Sequence, residues 1–484
     1  MNPPRATFGI GIRAAGGLLA ASLAGWPALA AAETWLLQSG FSARTQFTDN
    51  YFFASTGQES GFTASISPFV TAARRTETTD VAAVLAVGLN KVWGLPENID
   101  YVSGRFGVDG TMRDDRSTWA GNIGYSRAPT LQNLFTQRGN VLALAYTDTA
   151  SANGSYSYQM SERWSLGIRA GAFNSQYSSV QTTTSPLQNN SACYGSGTID
   201  YAYSERTQIN LLAAYAHTTS DLTRSDSVIT RIGVVHRFSE QLTASASVGQ
   251  FWSDITATRT GLVCPTTPVL CDSGLVPRLP ITSGESRSYS GQLYGGNLNY
   301  AFSERTSLTA FLAENLAPSS TGTLTKTDSA GASLSHNWSE RLSARLGASY
   351  TRQVFPSGVS GLSTTNYYAG EVGVSYLLAE RWRLDAGYRY NRAEYTQQSL
   401  GNPQSNTVFV AIGYNWPGAS ATDWVGARLD TQGLPGAGPV QLSGAAAARP
   451  APAPEPGGEE AEADEAGKAA PAPETSVFDQ FTIP

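Results

Sequence analysis

The chain has 484 residues, of which 41% are hydrophobic and 14% are charged, and its formal net charge is −6. The charged fraction lies well below the roughly 25% of soluble proteins, and together with 48 Gly, 22 Tyr and 10 Trp it favours half-buried strands. No run of about 18 apolar residues follows the N-terminal region, which excludes a spanning helix in the mature chain.

Residues 1–32 have the pattern of a secretory signal peptide. Arg5 and Arg13 form a basic start, and the apolar stretch GGLLAASLAGWPALAAA that follows ends in small residues. Cleavage is expected after Ala30 or Ala32, where small residues occupy the two positions that signal peptidase reads. The sequence therefore predicts an exported protein.

Residues 33–417 form one predicted domain in which apolar and polar residues alternate. In SNTVFVAIGYNW, at 405–416, Val408, Val410 and Ile412 share one face. The alternating segments have about 10 to 14 residues, whereas strands of soluble proteins usually have about 5 or 6. Aromatic residues that stand at the ends of the apolar face, as in an interfacial girdle, include Trp164, Trp338, Trp382 and Trp416. The opposite face is charged and rich in Gly and Ser, which suits a wet interior.

These features predict an all-β fold, a transmembrane up-and-down antiparallel β-barrel. A spanning sheet must close, because an unpaired backbone group in lipid costs several kcal/mol. The predicted strands lie near 36–50, 61–74, 79–91, 101–113, 116–126, 144–160, 163–175, 194–203, 206–217, 226–238, 241–253, 288–302, 305–316, 325–338, 341–353, 365–378, 381–393 and 405–416. The count is about 18, with 16 as the alternative, since the turns among the first strands have less regular sequences.

A short polar triplet recurs between successive strands. It reads Ser-Glu-Arg at 161–163, 204–206, 303–305 and 339–341, with the variants Ser239-Glu240-Gln241 and Ala379-Glu380-Arg381. The triplet leaves no room for a long loop, so these are predicted to be tight turns on one rim. The longer segments 177–192, 255–287 and 355–364 are expected on the other rim. Short periplasmic turns and long outer loops are typical of outer-membrane barrels, which predicts a bacterial outer-membrane location, contact with its lipids and two periplasmic termini.

Catalytic and metal-binding patterns are weak in this sequence. His217, beside Ser220 and Asp221, is the only candidate for a barrel hydrolase, and no phosphate-binding loop, dinucleotide fingerprint or metal-ligand cluster is present. We therefore expect no enzyme, cofactor or metal site. Cys264 and Cys271 lie close enough in sequence to close a small disulfide loop in an oxidising compartment. Cys193 would then be outside this disulfide.

The predicted inner face of the barrel is rich in arginine. Its inward positions include Arg44, Arg105, Arg113, Arg169, Arg231, Arg237, Arg345, Arg383 and Arg389, against the carboxylates Asp109, Glu371 and Asp385. A guanidinium is always charged and offers a planar fork of donors, so rings of Arg in a pore favour anions. Alternatively, these Arg side chains pair with wall carboxylates and stiffen the barrel.

The residues after 417 differ in composition. Residues 418–475 are rich in Pro, Ala and Glu, which predicts a disordered periplasmic linker. Residues 476–484, SVFDQFTIP, either form a short docking motif with Val477, Phe478 and Phe481, or are an unused terminus. The acidic residues from Asp430 onward carry most of the net charge, so the barrel segment is nearly neutral, which argues against nucleic-acid binding.

The segment SARTQFTDNYFF at 42–53 and units such as SYSYQMSERWSLGIRAG at 155–171 resemble the outer-membrane β-barrel porins found near exopolysaccharide and exosortase loci. The resemblance covers residues 35–416. It implies an exit channel for a polysaccharide that a periplasmic export protein hands over. Such barrels usually end at the aromatic residue of the last strand, whereas this chain continues beyond Trp416. The extra segment is where we expect a periplasmic partner.

The sequence leaves three functions open. The first is an exit porin for an acidic exopolysaccharide, and the second is a general or anion-preferring diffusion porin for small solutes. The third is a structural membrane anchor for the tail. A loop folded into the pore would separate the first two, and 255–287 is the only long candidate for it.

Overall fold

The computed structural model describes residues 35–416, except 96–98, 130–144, 180–187, 222, 264–278, 319–323, 355–363 and 397–400. The predicted signal peptide 1–32 and the segments 418–475 and 476–484, with Val477, Phe478 and Phe481, lie outside the described residues. Cys264 and Cys271 lie outside them as well.

The described chain forms one 18-stranded sheet. The strands are β1 (Trp35–Thr48), β2 (Gly61–Arg75), β3 (Thr79–Trp93), β4 (Ile99–Arg113), β5 (Ser117–Pro129), β6 (Ala145–Gln159), β7 (Trp164–Ser179), β8 (Asn190–Ser204), β9 (Thr207–Ser220), β10 (Thr223–Arg237), β11 (Leu242–Val263), β12 (Leu279–Ser303), β13 (Thr306–Pro318), β14 (Leu324–Asn337), β15 (Leu342–Val354), β16 (Thr365–Ala379), β17 (Trp382–Tyr395) and β18 (Gln404–Asn415). Among these residues, none belongs to a helix long and apolar enough to cross a membrane.

The sheet closes on itself. Each strand pairs antiparallel with the next strand in the chain, and β1 pairs with β18 from Gly40–Asn415 to Thr48–Thr407. Closure removes the unpaired edges that an open sheet would present. The prediction of an up-and-down barrel is confirmed, with 18 strands rather than 16.

The two faces of the wall differ in chemistry. The outward face carries exposed aliphatic side chains such as Leu85, Ile168 and Val248, which are 49%, 55% and 62% exposed. On the inward face, Ser225 and Ser253 are buried, and their hydroxyl oxygens lie 3.0 Å apart in a hydrogen bond. An exposed apolar band around a closed barrel is the surface that a bilayer covers.

The recurrent triplets form the tight turns of one rim. Each joins an even-numbered strand to the next odd-numbered strand, so all lie at the same end of the barrel. The serine is the structural element of the turn: Ser161 Oγ accepts a hydrogen bond from the backbone N–H of Trp164 at 3.2 Å, and Ser239 and Ser339 accept from Leu242 and Leu342 at 3.1 Å. Serine favours such turns because its side chain replaces a backbone acceptor. We call this end the short-turn rim and the opposite end the long-loop rim.

The prediction of a loop over 255–287 is wrong for most of these residues, which belong to strands. β11 continues to Val263 and β12 begins at Leu279, and the two remain paired from Thr256–Ser286 to Val263–Leu279. The segment has a high content of Thr and Ile, residues that favour extended backbone. The hairpin therefore extends well beyond the predicted ends of these strands.

Candidate functional site

The inner wall of the barrel carries the arginines that the sequence analysis singled out. The strand registers place on the inward face Arg44, Arg105, Arg113, Arg169, Arg231, Arg237, Arg345, Arg383 and Arg389, with Asp109, Glu371 and Asp385. Sequence reasoning missed further charges on this face, namely Arg75, Arg287, Asp80 and Asp200. Continuing the period-two alternation through each predicted strand to its turn would have found Arg75 and Asp80. Arginines outnumber carboxylates on the described inner wall.

Part of this charge is neutralised on β16 and β17. Arg389 donates to Glu371 Oε2 from Nε at 3.0 Å and from Nη2 at 2.7 Å. Arg383 donates from Nε to Asp385 Oδ1 at 2.9 Å and from Nη2 to Ser375 Oγ at 2.9 Å. Such charge-assisted contacts fix the geometry of the guanidinium groups. Arg383 and Arg389 are therefore tied to the wall by these contacts.

A second ion-pair group lies on the inner wall near the short-turn rim. Asp80 Oδ1 accepts from Arg75 Nε at 2.9 Å, and Asp80 Oδ2 lies 3.4 Å from Arg113 Nη1. One carboxylate therefore holds two guanidinium groups from adjoining strands. The group retains a net positive charge.

Other arginines make no ion pair within the described part of the chain. Arg345 is exposed, and its neighbours directly across the strands are Ser335 and Gly373. Arg105 and Arg237 likewise form none there. Their charge is available to an ion in the lumen, because no described carboxylate contacts these guanidinium groups within ion-pair distance.

Arg44 lies over an aromatic ring of the neighbouring strand. Its guanidinium carbon lies 4.3 Å from the centroid of the Phe409 ring. A cation over an aromatic face is attracted by the ring quadrupole. The Phe409 ring therefore helps to fix the position of the Arg44 guanidinium on the wall.

The inner wall also holds a repeated pairing of an aromatic ring with a glycine directly across the strands. The pairs are Gly40–Phe69, Gly171–Tyr194, Gly291–Phe251, Gly331–Phe311 and Gly387–Phe409. A Cβ atom added to Gly291, Gly331 or Gly387 would come within 2.6 Å of the paired ring. The rings lie against the wall where the glycines leave room, so they take up little of the lumen.

Residues 49–60, between β1 and β2, form a loop that folds into the long-loop end of the lumen; we call it the inner loop. It is tied down at its start. The Asn50 side chain donates to the carbonyl oxygens of Ala54 at 2.7 Å and Gln404 at 2.8 Å, and accepts from the Ala54 N–H at 2.9 Å. The Asp49 carboxylate accepts from the backbone N–H of Asn406 at 2.7 Å and from its amide at 2.6 Å.

The aromatic residues of the inner loop pack on inward-facing wall residues. Phe53 is fully buried with Tyr367 of β16 and Ala393 of β17, and its ring centroid lies 6.2 Å from that of Tyr367. Its φ of 51° costs a residue with a Cβ about 1–2 kcal/mol, which the packing of the buried ring offsets.

Tyr51 and Phe52 lie on the other side of the inner loop. They pack against Val92 of β3 and Tyr101 of β4, which both point inward. Burial raises the pKa of Tyr51 to about 12. The inner loop is therefore anchored on both sides and narrows the lumen at this end.

The inner loop occupies the position that the sequence analysis considered only for 255–287. Sequence reasoning had one indication of it: three consecutive aromatics, Tyr51, Phe52 and Phe53, in a segment without alternation. Three consecutive large aromatic side chains are rarely all exposed to water, so such a run indicates packing against another part of the protein.

The predicted hydrolase candidate is not assembled. His217 lies on the outward face, where its Nδ1 is 2.7 Å from Asp226 Oδ1. Ser220 has the opposite parity on β9 and bonds with Thr223. Cys193 is exposed and lies directly across from His217. In the described residues, no group of three or more His, Cys, Asp or Glu could hold a metal ion.

Comparisons with known proteins give only distant likenesses. No family model matches the sequence, and no curated protein is similar to it. The structure is similar to the outer membrane protein opdK from Pseudomonas aeruginosa (13% identity, 78% of this chain, 99% of that chain, TM-score 0.40). It is also similar to a BenF-like porin from Pseudomonas fluorescens Pf-5 (12%, 78%, 99%, 0.41) and to the FrpB iron transporter from Neisseria meningitidis (8%, 78%, 82%, 0.40). Likenesses at this level carry no functional argument, so function has to be inferred from the lumen itself.

Proposed function

We propose that the protein is an outer-membrane channel whose arginine-rich lumen lets an acidic exopolysaccharide leave the cell. The observation that carries the proposal is the set of inward arginines without an ion pair in the described wall, Arg105, Arg237 and Arg345. They lie on strands spread around the barrel, so a polymer would meet cationic sites on several sides. Many weak sites favour conduction, because an anion must enter easily and also leave.

The size of the barrel is compatible with such a cargo. Barrels of about 16 to 18 strands enclose an aqueous channel. The aromatic rings on the inner wall lie over glycines, which keeps their bulk out of the path. A hydrated sugar chain needs this width.

Location and partner are part of the proposal. A predicted signal peptide, tight turns on one rim and longer connections on the other favour the outer membrane with both termini in the periplasm. The tail beyond Trp416 would bind a periplasmic export protein, with Val477, Phe478 and Phe481 as the docking residues. The short-turn rim, from which the tail leaves, would then face that partner.

The second candidate is an anion-preferring pore for small solutes. The inner loop favours it, because a segment anchored across one end of the lumen reduces the opening. A structural anchor for the tail is the third candidate, and it predicts a barrel without conductance.

The deciding experiment is single-channel recording of the purified protein in a planar bilayer, titrated with an acidic polysaccharide and with a neutral polysaccharide of equal length. Block by the acidic polymer alone, with loss of that block in Arg345→Gln, supports the exit channel. Arg352→Gln is the matched control, since Arg352 lies on the same strand and faces outward. A conductance that neither polymer affects supports the solute pore, and the absence of conductance supports the anchor.

A further inference from the structure

The outward face of the barrel changes from aliphatic to charged near the long-loop rim. The cations with outward parity at this level are Lys91, Arg127, Arg224, Lys326, Arg352 and Arg392. At the short-turn rim, the outward positions instead carry residues such as Trp164, Trp338, Trp382, His236 and His336, and Arg74 is the exception. The two rims therefore present different surfaces to the two leaflets.

A row of outward tyrosines marks the boundary below this charged belt. Tyr125 donates its hydroxyl to Asp148 at 2.8 Å, Tyr215 donates to Asp226 at 2.5 Å, and Tyr350 donates to Asn366 at 3.0 Å. A tyrosine suits an interface where the ring stays in hydrocarbon and the hydroxyl reaches the polar zone. The charged belt lies beyond that boundary, at the level of lipid headgroups.

The distance between the short-turn girdle and the belt matches the apolar thickness of a bilayer. On β10, β14 and β17, about ten residues separate the short-turn girdle from the belt, which with strand tilt corresponds to about 25 Å. The pairs of residues that define this span are His236 and Asp226, His336 and Lys326, and Trp382 and Arg392. That is the thickness of the apolar band of an outer-membrane barrel.

Most cations of the belt are paired within the protein. Lys326 Nζ lies 2.9 Å from Glu314 Oε2, and Arg392 Nη2 lies 2.8 Å from Glu394 Oε1. Arg352 makes no ion pair among the described residues, although Asp328 and Asn366 stand directly across from it. A guanidinium at headgroup level that no described carboxylate contacts within ion-pair distance can bind an anion.

Arg352 belongs to a compact patch on β15–β17. Arg352 and Arg392 lie two strands apart, about 10 Å, with Asn366 and Tyr368 on the strand between them. Tyr350 and Tyr368 lie below, with ring centroids 5.2 Å apart. We call these five residues the Arg352 patch. The patch combines two guanidinium groups, an amide and two aromatic rings. A guanidinium group can donate two parallel hydrogen bonds to the oxygens of a phosphate.

We propose that the Arg352 patch binds the phosphate of an anionic glycolipid headgroup in the leaflet at the long-loop rim. The Arg352 guanidinium would contact the phosphate oxygens, and Arg392 would add a weaker attraction because Glu394 already pairs with it. The tyrosine rings would support the sugar and the first part of the acyl chains. The proposal does not depend on the conductance of the lumen.

The test uses the full-length protein reconstituted in nanodiscs of phosphatidylcholine with increasing amounts of lipid A bisphosphate. Bound lipid is counted by native mass spectrometry, and folding is checked by the heat-modifiable mobility of the barrel. We expect the apparent affinity for lipid A to fall about tenfold in the double variant Arg352→Gln, Arg392→Gln. In the double variant Arg237→Gln, Arg345→Gln, which removes the same number of charges from the inner face, the affinity should stay unchanged.

Two further measurements separate phosphate recognition from general adhesion. Dephosphorylated lipid A should bind the wild type about as weakly as lipid A binds the double variant. Arg352→Lys, which keeps the charge but loses the fork, should give an intermediate affinity and guards against a folding defect. Equal binding of lipid A to the wild type and the double variant, or of both lipids to the wild type, would overturn the proposal.

Discussion

Phe409 lies against Gly387 across β17 and β18, and the Arg44 guanidinium lies over the same ring. One aromatic ring of β18 thus contacts a glycine of β17 and a cation of β1. The glycine allows the ring to lie close to the backbone, and the ring then fixes the cation. A change at the glycine should therefore be felt at Arg44.

Gly387→Ala should destabilise the barrel by about 1–3 kcal/mol, because the new Cβ would lie only 2.6 Å from the Phe409 ring and would force that ring to shift. Reversible urea unfolding in lipid vesicles measures this loss. Gly347→Ala is the matched control, since a Cβ there would meet only the Ala332 carbonyl oxygen at 4.0 Å. Equal stability of the two variants would contradict the prediction.

Arg345→Gln should lower the preference of the channel for anions. An exposed charge attracts a passing anion at about 4 Å by about 1 kcal/mol in water, so the anion-to-cation permeability ratio should fall by up to about fivefold. Reversal potentials in a salt gradient give this ratio. The outward-facing Arg352→Gln changes the net charge equally and should leave the ratio unchanged; a fall of the same size in both variants would refute a role for the lumen position.

Phe53→Ala should release the inner loop from β16 and β17. Loss of a buried phenyl ring costs about 3–5 kcal/mol of stability. The remaining contacts of the inner loop should not hold it against the wall, so the conductance should rise and become noisier. Gln58→Ala, at an exposed position of the same loop, is the control. An unchanged conductance in Phe53→Ala would mean that the inner loop does not limit the flow.

The inner loop should also respond to alkaline pH. Burial raises the pKa of Tyr51 from 10.0 to about 12, so the packed loop favours the neutral phenol. This contribution to stability is complete below pH 10 and is lost as the pH rises through about 12. Conductance should therefore increase over this range.

The matched variant for the alkaline response is Tyr51→Phe, which cannot ionise at this position. The part of the increase that belongs to Tyr51 should be missing from it. If wild type and variant titrate alike, other tyrosines are responsible for the change.

The alternation of side chains made the wall predictable. Strand β18 was expected at 405–416 and runs from Gln404 to Asn415, and a period of two then fixes the face of every residue in it. The extension of the β11–β12 hairpin was missed because a Thr-rich segment is compatible with a strand or with a loop. Only the pairing with the neighbouring strand decides between the two. Contacts between distant segments, such as Phe53 with Tyr367, depend on three-dimensional closure, which local pattern does not encode.

The seam between β1 and β18 brings the two ends of the barrel segment together. The backbone N–H of Trp416 donates to the Ser39 carbonyl oxygen at 2.8 Å, so both ends lie side by side at the short-turn rim. The order of strands around the barrel then has no preferred starting point. A circular permutant that joins these ends through a short linker and opens the chain between Glu304 and Arg305 would keep every strand beside its present neighbours.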